Sequence, residues 1–70
     1  MLLWFQRRGQ HVQVQILQPV NGRCELRVLD SDGREHVEEF FDPEQLRQRQ
    51  EMVCEGLRAE GWQRSGEWLL

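Results

Sequence analysis

Three consecutive segments decide the fold: Val12-Gln13-Val14-Gln15-Ile16, Pro19-Val20-Asn21-Gly22 and Cys24-Glu25-Leu26-Arg27-Val28. In the first and third, apolar side chains alternate with polar ones, the period-two pattern of a strand with one buried face. The middle segment is a turn cluster, so the three together read as a β-hairpin. Side-chain parity then selects the loop. Placing Ile16 opposite Leu26 and Val14 opposite Val28 keeps both apolar sets on one face. That register needs a three-residue loop, Val20-Asn21-Gly22, built as a type I turn with a G1 bulge. A two-residue Asn21-Gly22 turn sets Ile16 against Arg27 and turns one apolar set outward.

Toward the C-terminus, Asp30-Ser31-Asp32-Gly33 marks a second turn and 34–41 a third strand. A two-residue Asp32-Gly33 turn pairs Val28 with Val37 and Arg27 with Glu38, the latter as an outward charge pair. The third strand fits its pattern imperfectly. Strict alternation places Glu39 inside with Val37 and Phe41, whereas a bulge near Glu38-Glu39 lets Val37 and Phe40 share the inner face. Both registers stay open.

The helix that follows is the best-specified element. Asp42 is an N-cap, Pro43 occupies the first helical position, and Gln45 completes the capping-box spacing. Phe41 and Leu46 fall at the positions of a hydrophobic staple. Glu44 sits in the first turn, where the helix dipole favours negative charge. At the other end Gly61 is placed as the left-handed C′ residue and Trp62 as the C″ residue that packs on Leu57. The inward stripe is Leu46, Val53 and Leu57, with Met52 and Ala59 beside it and Gln50 interrupting it. Gly56 carries a helix-propensity penalty of about 1 kcal/mol; it stands where a small residue allows the helix to approach the sheet.

Toward the N-terminus, 2–6 supplies a candidate fourth strand that turns at Arg7-Arg8-Gly9. The whole chain, 1–70, therefore reads as one small α+β domain. Its expected core is an antiparallel three-stranded β-meander (about 11–18, 23–30 and 34–41), extended by that fourth strand where it forms. One C-terminal α-helix at about 43–60 packs on the meander, and a tail occupies 63–70.

Size limits how much such a domain can bury. A domain of about 60 residues removes only about 60% of its unfolded surface from water, so small domains lean on disulfides, metals or oligomerisation. Only Cys24 and Cys54 are present, and the charge at Arg7-Arg8 follows the apolar run, the reverse of a signal peptide. The chain is accordingly expected to be cytoplasmic, with no membrane span and both thiols reduced as small buried hydrophobes. His11, Cys24, His36 and Cys54 show no zinc-ligand spacing, and no metal or cofactor is expected.

The net charge of −3 is unevenly spread: residues 1–34 carry five Arg against three acids, and 35–70 carry four Arg against nine acids. Catalytic chemistry has little to stand on. Glu35, His36, Glu38 and Glu39 form the one dense titratable cluster, but along a strand they point to alternate faces. Ser31 and Ser65 lie in glycine-containing turns without a nucleophile elbow, and no phosphate-binding glycine loop occurs. An enzyme is not expected.

The remaining signal is apolar residues at both ends. Leu2, Leu3, Trp4 and Phe5, with Trp68, Leu69 and Leu70, suggest a surface patch, and such patches mark interfaces. The expectation is a bacterial-type protein-interaction module that forms a homodimer through these ends. The competing reading of the same residues folds both ends back into the monomer's core. From a different class comes single-stranded nucleic-acid binding on the open sheet face, using Trp4, Phe5, Arg7, Arg8 and Arg27. The sequence pI of about 5.3 opposes it.

Overall fold

The computed structural model describes residues 1–68 and, of these, the side chains of all but 18–20, 67 and 68. Its elements run β1 (Leu2–Arg7), β2 (Gln10–Val20), β3 (Arg23–Leu29), β4 (Glu35–Phe40), α1 (Pro43–Ala59) and β5 (Gln63–Trp68). The strands form one five-stranded antiparallel sheet in the order β4-β3-β2-β1-β5. The meander thus has four strands rather than three, since the N-terminal segment does form one. The segment expected as a tail supplies a fifth: α1 carries the chain back across the sheet, and β5 pairs with β1.

The two hairpins at β3 exchange the loop types expected of them. Between β2 and β3 the central register is Val14↔Val28 and Ile16↔Leu26, as parity requires. The loop, however, is the two-residue Asn21-Gly22, with both residues at positive φ (55° and 77°). That is the signature of a type I′ turn, whose twist matches the strands it joins. Parity is restored by a register shift between Leu17 and Val20. Pro19 lies within that shift, where a residue without an N–H breaks the ladder at least cost.

The β3–β4 hairpin carries the odd loop instead. Leu29 pairs with Glu35, Asp30 N–H donates to the Arg34 carbonyl at 2.8 Å, and Gly33 has φ 88°. The expected Val28–Val37 and Arg27–Glu38 pairs are therefore replaced by Val28↔His36, Arg27↔Val37 and Leu26↔Glu38. Neither version of the third strand holds. β4 alternates without a bulge, putting His36, Glu38 and Phe40 toward α1 and Val37 and Glu39 away from it. Val37 is consequently 45% exposed. Glu38 tolerates the inner position because the Arg49 guanidinium of α1 donates to it at 2.9 Å.

Helix α1 starts and stops where its caps dictate. The Asp42 carboxylate accepts from Glu44 N–H at 3.0 Å. At the far end Trp62 N–H donates to Leu57 O and Gly61 N–H to Arg58 O, both at 3.0 Å, completing a Schellman motif with Gly61 at φ 90°. The staple does not form as expected, because Phe41 is 76% exposed. Gly56 does not mediate close approach either: a methyl built on it meets nothing within 4 Å.

The core lies between α1 and the inner sheet face. Leu3, Phe5, Val12, Val14, Cys24 and Leu26 contribute from the strands, Leu46 and Cys54 from the helix, and Trp62 from the residue before β5. Arg7 holds that tryptophan in place: its guanidinium lies 4.4 Å from the indole centroid and donates to Glu60 O at 2.6 Å.

Candidate functional site

A sheet has two faces, and one helix covers only one of them. The bare outer face is built from the residues that alternate with the core. Reading across the strands, one row is Gly66, Trp4, Gln13, Leu29 and Glu35, and the next is Trp68, Leu2, Gln15, Arg27 and Val37 in register. Leu17, Glu25 and Glu39 begin a third. Leu2, Trp4, Gln13, Gln15, Leu17, Arg27 and Leu29 are all half-buried, and among the described residues no further element lies over them. Apolar side chains therefore flank a glutamine pair at the centre of β2.

The electrostatics of this face are close to balanced. Arg27 pairs with Glu25 at 3.1 Å and Arg23 with Glu39 at 3.4 Å, which leaves Glu35 as the excess charge. Trp4 stands edge-on to His11, with centroids 6.0 Å apart and planes at 84°. Its indole N–H is out of contact with water and has no hydrogen-bond partner, a polar group left in want of an acceptor.

The residues singled out in the sequence are divided by this geometry. Leu2 and Trp4 lie on the bare face, and Trp68 pairs in register with Leu2. Leu3 and Phe5 do not belong to a surface patch: they are 2% and 0% exposed and point into the core. Leu69 and Leu70 lie outside the described residues. The nucleic-acid set is split as well. Phe5 is buried, Arg7 is occupied by Trp62 and Glu60, and Arg8 is in the β1–β2 turn; only Trp4 and Arg27 share the bare face. Glu38, read as outward, faces the helix. Leu29 stands outward with Glu25 and Arg27, as its alternation requires, whereas Leu17 and Val37 are members of the face that the sequence pattern does not assign to it.

A second concave feature lies on the other side of the sheet. A groove of about 690 Å³ runs between α1 and the β3–β4 edge. Leu26 and Val28 form its floor, Met52, Val53 and Leu57 its helical wall, and Gly56 a gap in that wall. Met52 is 62% exposed. The Glu38–Arg49 pair and a His36–Asp30 contact at 3.3 Å lie along its length.

Nucleophilic chemistry is not favoured by the thiols. Cys24 and Cys54 are free and buried, and burial pushes the Cys54 thiol pKa up against the opposing pull of Arg58 and Arg64. Among the described residues no group of three His, Cys, Asp or Glu is arranged to hold a metal ion, and no helix is long and apolar enough to cross a membrane. No family model, curated protein or solved structure matches the chain, which leaves its own surfaces as the ground for a functional reading.

Proposed function

We propose that this chain is a non-enzymatic protein-interaction module that self-associates through the bare face of its sheet. The observation that carries the reading is the set of half-buried apolar side chains, Leu2, Trp4, Leu17 and Leu29, around Gln13 and Gln15 on a face that no described element covers. A two-fold contact sets a patch against itself, so the patch must be self-complementary. Glutamine amides satisfy that condition because each carries both a donor and an acceptor. The Arg27–Glu25 pair satisfies it too, since either partner can exchange with its counterpart across the axis. Stacking the two bare faces yields a sandwich in which both sheets have two covered sides.

Trp4 and its neighbour His11 also offer a stacking surface for single-stranded bases. Phosphates find no net positive charge on this face, because both arginines are paired and Glu35 is in excess. Self-association is therefore the better-supported reading.

The test is absolute mass by light scattering at sub-millimolar concentration, comparing the wild type with Leu29→Lys. The expected result is a dimer that the substitution turns into a monomer with unchanged circular dichroism. Bringing two like charges together at a two-fold contact weakens it by about 100-fold or more. A wild type that stays monomeric throughout would overturn the proposal. Amide shifts on Trp4, His11 and Arg27 upon adding a single-stranded oligonucleotide would favour the nucleic-acid reading instead.

A further inference from the structure

We propose that the free edge of β4, together with the groove beside it, binds an extended basic segment of another protein by strand addition. It does not depend on the self-association proposed for the bare face: it uses the β4 edge, the groove on the helix side and, at the rim of the bare face, Glu35 and Glu39.

The two edges of the sheet differ. At the β5 edge the pairing with β1 shifts register between Trp4 and Phe5, leaving Ser65 as the extra residue, and a bulge of this kind blunts an edge against further pairing. β4 pairs with β3 in unbroken register from Glu35 to Phe40. Its outer backbone groups form a regular, open ladder, the template that strand addition requires.

Side chains on the two sides of that ladder specify the occupant. An added strand sends alternate residues to opposite faces. On the inner side they stand beside His36, Glu38 and Phe40 and border the groove of about 690 Å³, whose far floor is Leu26 and Val28 and whose wall is Met52 and Val53. With Glu38 already paired to Arg49, aliphatic groups are favoured there. On the outer side they stand beside Glu35 and Glu39, where Lys or Arg is favoured. The matching partner is a segment in which basic and aliphatic residues alternate. A second copy of β4 is a poor occupant, because Glu35, Glu38 and Glu39 would be set beside their own counterparts.

Gly56 supports the same conclusion from the helix. A mid-helix glycine lowers stability, and none of the described residues comes within 4 Å of a methyl built on Gly56. That space belongs to the groove, so a large side chain at this position would occupy a volume left free by the described residues.

The experiment titrates capped Lys-Val-Lys-Val-Lys-Val into the full chain, with the glutamate counterpart as control, following amide shifts and heat. Expected is saturable binding of the lysine peptide with shifts centred on β4, Met52 and Gly56, and at least ten-fold weaker binding of the glutamate peptide. Gly56→Phe fills the groove and should weaken binding at least ten-fold. Gly56→Ala, which leaves the groove open, should bind normally and unfold at an equal or higher temperature. The Leu29→Lys variant should bind like the wild type. Equal binding of the two peptides, shifts confined to the bare face, or an affinity unchanged by Gly56→Phe would each overturn the proposal.

Discussion

Strands β1 and β4 are both six residues long, and both send alternate side chains toward α1. On β1 those side chains, Leu3 and Phe5, are sealed from water; on β4, His36 is exposed and Glu38 and Phe40 are half-buried. The cause is geometric. A helix with its side chains is about 10 Å wide, whereas strands lie about 4.8 Å apart, so one helix shelters two or three strands. The chain completes the cover over β1 by other means. Trp62, placed by the Schellman motif and braced by Arg7, closes one side, and β5 makes β1 an interior strand. Nothing equivalent serves β4. α1 does approach β4 and holds Glu38 through Arg49, but β4 is a free edge with an open groove beside it, so its inward side chains keep contact with water.

The comparison makes quantitative demands. The largest effect is expected for Phe5→Ala, which empties a fully buried site and should destabilise by about 3–5 kcal/mol. Val37→Ala should remain within about 0.5 kcal/mol. Denaturant midpoints check both, and similar losses at the two positions would break the contrast between the strands. Next comes Arg7→Ala, which removes the cation–π contact and the hydrogen bond to Glu60 O. Its expected loss is about 1–2 kcal/mol, with a shift in Trp62 fluorescence as the lid loosens. Asp42→Ala tests the opposite end of α1 and should lower stability by about 1 kcal/mol through loss of the N-cap.

The smallest effect concerns Glu44, whose pKa is held below the usual carboxylate value by its hydrogen bond and ion pair with Arg47. A depressed folded-state pKa adds stability above the unfolded pKa, and that increment is lost as pH falls through the folded value. Glu44→Gln should therefore reduce melting temperature only on the neutral side of the carboxylate range. The difference should fade with acid and with salt, because the pair is fully exposed.

Much of this architecture could be read from residue order, and the misreadings share one physical origin. The α1 boundaries were legible because caps are local: Asp42, Pro43 and Gly61 act within a few positions of themselves. The β2–β3 register was legible because two long alternating runs must agree. Loop lengths were harder, since a turn and a bulge can trade one residue without changing the buried set. That trade occurred at Asn21-Gly22 and Pro19. β4 gave too little alternation to resolve its own register, and the Arg49 partner that lets Glu38 turn inward lies 11 residues away. β5 was invisible because Gln63-Arg64-Ser65-Gly66-Glu67 has no strand pattern; it is extended because β1 offers an edge. The same neighbour explains Leu3 and Phe5. Apolar residues on both sides of a segment suit an interior strand as well as a sticky end, and only the tertiary partner distinguishes them. Of the candidate face, Trp4, Arg27 and the outward parity of Leu29 are legible in the sequence, while Leu17 and Val37 are not, because Leu17 ends its alternating run and Val37 depends on the loop length.

One consequence of the β1–β5 pairing concerns how the molecule opens. β5 has a single strand neighbour and a bulged ladder, so it is the strand whose amide protons should exchange with solvent soonest. Each time it lifts, β1 becomes an edge, and β1 is Leu-Leu-Trp-Phe-Gln-Arg, apolar on both sides. Such a strand is a template for runaway aggregation. In this view β5 is a short polar guard whose residence time sets the shelf life of the protein.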